Sequence, residues 1–155
     1  MLCTGVEYMS IYDDTLIENI EVLLRRVCFI IKKRGRRILD DYNITPAQFD
    51  ALQYLICNGE LTISELSSKL YQVPSTTTDL IDRMEKNLLV ERIKDPRDRR
   101  IVRIKVLDKG HKVLENVLIE RCKFLDNSLK GVCDEDKLEF TKYLKILFDA
   151  NNNQE

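Results

Sequence analysis

Three short helices, each with its own start signal, lie between Thr45 and Lys86, and an alternating β pattern follows at once. Thr45-Pro46-Ala47-Gln48 joins an N-cap threonine, a proline at the first helical position and a glutamine that completes a T-x-x-Q capping box. The helix so opened, Pro46–Cys57, stops at the turn signal Asn58-Gly59. A second box, Thr62-Ile63-Ser64-Glu65, opens a helix to about Leu70. Tyr71-Gln72-Val73 then turns the chain, and Pro74 and Ser75 start a third helix that runs to about Lys86. Next the period shifts to two. Leu89–Lys94 and Ile101–Val106 read as strands, with Val102, Ile104 and Val106 alternating against Arg103 and Lys105. The polar turn Asp95-Pro96-Arg97-Asp98-Arg99-Arg100 joins them into a hairpin with a basic tip. Helices in that order followed by such a hairpin predict a winged helix-turn-helix.

The flanks are helical. From Asp13 to about Asp40, Ile17, Ile20, Leu24, Val27 and Ile31 form a narrow apolar seam suited to packing on another helix, including one from a second subunit. Asp108 starts a helix with Leu114, Leu118, Cys122, Leu125 and Leu129 along one face, and Gly131 ends it. Asp134–Asp136 favour the start of a last helix, lined by Phe140, Leu144 and Leu147, and Asn151–Glu155 read as a frayed tail. The expected fold is therefore mainly α with a small β-hairpin wing. Residues 45–106 are assigned to the winged helix-turn-helix, and residues 1–44 and 107–155 to a helical dimerisation region. A winged helix of about 60 residues does not need those extra apolar helices for its own core, which points to a homodimer.

Composition narrows the function. The chain has 155 residues, 44% hydrophobic and 33% charged, a balance that neither disordered nor disulfide-built chains share. Its net charge of −1 hides two basic segments: residues 25–37 carry seven bases and no acid, and residues 91–105 carry seven bases against three acids. Screening confines each charge to about 8–10 Å, so such segments act locally in a neutral chain. Double-stranded DNA is the expected partner. The third helix suits the major groove, where Ser75, Thr76, Thr77 and Thr78 in its first turn and Arg83 further along can meet phosphates or base edges. Hydroxyls at a helix start also serve for capping alone. Arg97, Arg99 and Arg100 crowd one turn and repel one another. Asp95 and Asp98 compensate in part, and a narrow minor groove would supply the rest. A solvated turn with local ion pairs remains the alternative for the hairpin.

The turn Asp95–Arg100 (DPRDRR) resembles the D-x-R-D-x-R wing of the MarR family of bacterial transcriptional regulators. Ser75–Arg92 is similar to that family's recognition helix and first wing strand, and Leu107-Asp108-Lys109-Gly110 to its post-wing L-T-x-x-G signal. The resemblance spans roughly residues 12–148. It implies a homodimer with interlocked first and last helices that binds a palindromic operator as a repressor and responds to a small-molecule effector. It also implies that Asp98 places Arg100, and that Arg97 or Arg99 lies at the wing tip. Asp79 stands where an arginine is common and is placed to pair with Arg83 at i,i+4. Asn87 replaces the glycine that usually forms a left-handed cap.

Other functions find little support. A glycine-rich phosphate loop, a G-x-S-x-G elbow and an H-E-x-x-H pair are all missing, so no enzyme is expected. The single histidine, His111, has no partner at ligand spacing, so neither a metal site nor a cofactor is expected. The longest apolar run, Val27–Ile31, is too short to cross a membrane, and no signal peptide is visible, which together point to the cytoplasm. Of the five cysteines, Cys28 and Cys122 fall on apolar faces and are expected in the core; Cys57 is ambiguous, and Cys3 and Cys133 are expected at the surface. Thiol-based redox regulation and a winged helix serving only protein interaction are the competing functions. Tyr42, Tyr54 and Tyr71 are candidates for either a ligand pocket or the core.

Overall fold

A computed structural model describes residues 15–152. Cys3 and the expected helix start at Asp13 lie outside them, as do the last three residues of the tail. The chain divides into two compact units, one reaching to Leu114 and the other starting at Glu115, so that the division falls inside a helix. The first unit holds α1 (Thr15–Asp41), α2 (Pro46–Asn58), β1 (Leu61–Thr62), α3 (Ile63–Lys69), α4 (Pro74–Lys86), β2 (Val90–Lys94), β3 (Val102–Val106) and the first turns of α5 (Asp108–Ser128). The rest of α5 and α6 (Asp134–Asn152) form the second, so the helix covers part of the expected frayed tail. The expected class, mainly α with a winged helix-turn-helix, is the one observed.

Both capping boxes form. Thr45 Oγ1 accepts from the Gln48 N–H at 3.2 Å, and Gln48 Oε1 accepts from the Thr45 N–H at 3.0 Å. Glu65 does the same for Thr62, at 3.2 and 2.7 Å. Each box satisfies two backbone donors that a helix start otherwise leaves open. These caps pin short helices whose apolar sides then meet: Phe49, Leu52 and Leu55 of α2, Leu66 of α3, and Leu80, Ile81 and Met84 of α4 are buried. Ile38 and Leu39 at the end of α1 are buried too, as are Val90 and Ile104 from the strands.

The hairpin is antiparallel, pairing Val90 with Val106 and Lys94 with Val102. On its far side β3 also pairs with β1, Leu61 opposite Ile104, giving a three-stranded sheet in the order β1-β3-β2. A two-residue strand has no readable period, and Thr62 is legible in the sequence only as a cap. Through β1 the wing is tied directly to the entrance of the helix-turn-helix.

The structure corrects three local expectations. Asn87 has φ −87°, and Leu88, at φ 58°, takes the left-handed position. The Leu89 N–H reaches back to the Met84 carbonyl at 2.9 Å, so the Schellman-type closure forms one residue later than expected. Tyr71, also left-handed and 81% exposed, is not in the core, whereas Tyr42 and Tyr54 are half-buried. Cys28 and Cys122, expected inside, are exposed on the single chain like Cys57 and Cys133. Cys28 sits on a stretch of α1 whose seam residues, Ile17 to Ile31, are themselves half exposed.

Candidate nucleic-acid interface

The direction α4 faces follows from its buried side. Thr77, Leu80, Ile81 and Met84 pack inward, and the opposite stripe, spaced four, four and three, is Ser75, Asp79, Arg83 and Lys86. Of these Ser75 and Lys86 are exposed, and Asp79 and Arg83 lie toward the solvent side of the helix. Thr76 is exposed beside the stripe. The Thr78 hydroxyl donates to the Pro74 carbonyl at 2.9 Å. Thr77 is different: it is fully buried and its Oγ1 has no hydrogen-bond partner, so it does not face a groove as the sequence suggests. The signal is present in the sequence, because Thr77 precedes Leu80 and Ile81 by three and four residues. Lys86 is a residue that sequence reasoning missed, although the same spacing places it on the outward stripe. Among the described residues no ion pair joins Asp79 to Arg83, so the expected i,i+4 pair is absent.

The wing turn is built around carboxylates. Asp95 N–H donates to the Ile101 carbonyl at 3.0 Å, closing the loop. Asp95 Oδ1 accepts from the backbone N–H groups of Arg97 and Asp98 at 2.7 and 3.2 Å. Its Oδ2 meets Arg103 Nε at 2.5 Å. Arg103 extends from there to the Glu60 carbonyl at 3.2 Å and to Glu65 at 3.7 Å. One guanidinium thus ties the wing turn to the α3 cap. Asp98 accepts from both the backbone and the side chain of Arg100, at 3.0 and 3.2 Å, while the Arg100 side chain stays 91% exposed. Arg97 and Arg99 are exposed as well. The tip therefore presents three guanidinium groups on a turn whose backbone is braced by two aspartates.

The brace sets a pH dependence. Asp95 is lowered from 3.8 to about 2, first by the hydrogen bond from Arg103 and then by the Arg97 N–H. A carboxyl lowered in the folded state stabilises it above the unfolded value and loses that contribution as pH falls through about 2. Asp95→Asn is expected to melt below the wild type at pH 7. The difference should close between about pH 4 and pH 2 in thermal melts followed by circular dichroism. A gap that persists at pH 2 would remove the ionised carboxylate as its cause.

Two further arginines tie elements together through side-chain bonds. Arg103 reaches eight residues back to Asp95, and Arg92 on β2 bonds Asp82 and Glu85 of α4. The Arg92 pairings follow neither a helical nor a hairpin spacing, whereas Arg103, registered opposite Ile93, meets Asp95 as its diagonal neighbour across the hairpin once the register is known. Elsewhere, His111 is exposed. Among the described residues no group of three or more His, Cys, Asp or Glu is placed to hold a metal ion, and no helix is long and apolar enough to cross a membrane.

A helix-turn-helix with an outward polar stripe and a braced arginine wing in the same compact unit defines the winged-helix class of DNA-binding proteins. Comparison with known proteins narrows the class. Residues 44–102 match the MarR family model. The HTH-type transcriptional regulator YsmB of Bacillus subtilis (strain 168) is 49% identical over 84% of this chain and 90% of its own. The HTH-type transcriptional repressor MdtR of the same organism is 28% identical, over 92% of both chains. The solved structure of a MarR family protein from Bacillus stearothermophilus shares 42% identity and a TM-score of 0.83, covering 91% of this chain and 99% of that one. The chain belongs to the MarR family of HTH-type transcriptional regulators, which bind DNA.

Proposed function

We propose that two copies of this chain pair through their terminal helices and bind a palindromic operator as a cytoplasmic repressor, released by a small-molecule effector. The observation that carries the pairing is the exposed seam of α1, Ile17, Ile20, Leu24, Val27 and Ile31, with Phe140, Leu144 and Leu147 exposed on α6. Apolar rows of this length are stabilised when water is removed from them, at about 25 cal/mol per Å². In the paired molecule Ser75, Thr76, Thr78, Arg83 and Lys86 face the major groove, and Arg97, Arg99 and Arg100 enter the flanking minor groove. Repression is supported by the likeness to MdtR, itself a repressor. Release follows from population shift: an effector that prefers a conformation with misspaced α4 helices weakens DNA binding by its differential affinity.

Selection of bound duplexes from a random pool tests this reading. An inverted repeat with half-sites about 34–36 Å apart is expected, together with a dimer mass by light scattering. A monomer in solution, or a pool that yields no inverted repeat, overturns it. The competing function, a winged helix that binds only protein, finds its support in Asp79 on the outward stripe, and it predicts no enriched duplex at all.

A further inference from the structure

Asp79, Asp82 and Glu85 on α4 outnumber its two cations, Arg83 and Lys86. A helix with that balance is ill suited to a groove walled by phosphates. Its carboxylates are not equivalent, however. Asp79 lies on the outward stripe, whereas Asp82 and Glu85 lie on the flank toward β2 and are half-buried. There Arg92 engages both: Nη2 donates to Asp82 Oδ1 at 2.5 Å and Nη1 to Glu85 Oε2 at 2.6 Å. The Arg92 backbone N–H adds a third bond, to Glu85 Oε1 at 3.0 Å. The Arg92 side chain is itself only 27% exposed, less than either carboxylate it engages.

We propose that Arg92 is a positioning residue for DNA recognition, an internal counter-ion that turns Asp82 and Glu85 onto the wing strand and cancels their excess charge. With Arg92 counted, the three carboxylates of α4 face three cations, and the outward stripe is left with Arg83 and Lys86 against Asp79 alone. Without it, two carboxylates are free within a Debye length, about 8–10 Å, of any phosphate that α4 approaches. This inference rests on the proposed operator binding.

The test measures binding of the full chain to its selected operator duplex at about 50 and 200 mM salt, for Arg92→Gln, for Asp82→Asn with Glu85→Gln, and for all three together. Arg92→Gln is expected to bind about tenfold more weakly or worse at the lower salt, and the gap should narrow at the higher, where screening shortens the repulsion. The triple variant should recover to within about threefold of wild type. The double variant, with the arginine uncovered, should bind at least as tightly as wild type. A merely structural brace gives the opposite: the double and triple variants bind as poorly as Arg92→Gln, with no dependence of the gap on salt. That result overturns the proposal. If Arg92→Gln does not fold by circular dichroism, the double variant decides alone, tight binding supporting the proposal and weakened binding overturning it. A wild type that binds no duplex overturns the operator reading first, and this one with it.

Discussion

Replacing Arg97, Arg99 and Arg100 together by alanine is expected to lower operator affinity about 10²–10³-fold at about 0.1 M salt while leaving the protein folded. The three side chains are exposed, and among the described residues only Arg100 of the three has an ion-pair partner, Asp98. Their removal therefore takes little from the folded state, since exposed pairs contribute about 0–1 kcal/mol. In the complex a dimer would be deprived of six cations placed against the narrowest and most negative part of the duplex. The slope of log affinity against log salt should fall by roughly 0.9 for each phosphate that is no longer neutralised, which separates an electrostatic effect from a misfolded wing. Fluorescence anisotropy over a salt series measures both quantities. Affinity unchanged from wild type would take the wing out of the interface.

Gly110→Ala is expected to have the largest effect on stability. Gly110 lies in the first turn of α5, where alanine is intrinsically favoured over glycine by about 1 kcal/mol. Packing reverses the sign. A Cβ added there would collide with the Leu89 carbonyl oxygen and come within 2.7 Å of Val106 Cγ1 and 3.2 Å of Leu52 Cδ2. The first of these is backbone, already fixed by the Leu107 N–H at 3.0 Å, so it cannot swing aside as a side chain would. Overpacking of this kind costs about 3 kcal/mol, leaving a net loss of about 2 kcal/mol and a melting point lower by about 4–8 °C. Calorimetry at matched protein concentration checks it, because a dimer's melting point depends on concentration. A variant as stable as wild type would mean that Leu89 and the start of α5 are free to separate.

Where the wing and its neighbours are legible in the sequence, the interactions are short-range. Thr45 with Gln48 and Thr62 with Glu65 span three residues, and Asp98 with Arg100 spans two. The misreadings share a different property. Thr77 is one of four hydroxyls that look alike until the buried side of α4 is known. Cys28 and Cys122 lie on apolar faces, the usual mark of a core, yet both are exposed on the single chain. Asn87 has the side chain that favours a left-handed cap, whereas the closure at Leu89 N–H puts Leu88 there.

By itself the amino-acid order determined the helices and the wing hairpin, the two threonine capping boxes and the basic turn, because each depends on neighbours within about one helical turn or one hairpin, where spacing dictates geometry. Tertiary structure alone decided which side of α4 meets solvent, that Arg92 binds carboxylates of α4 and Arg103 reaches Glu65 of α3, and that only a glycine fits beside Leu89. Those outcomes rest on the approach of segments distant along the chain, and no local period encodes such a distance.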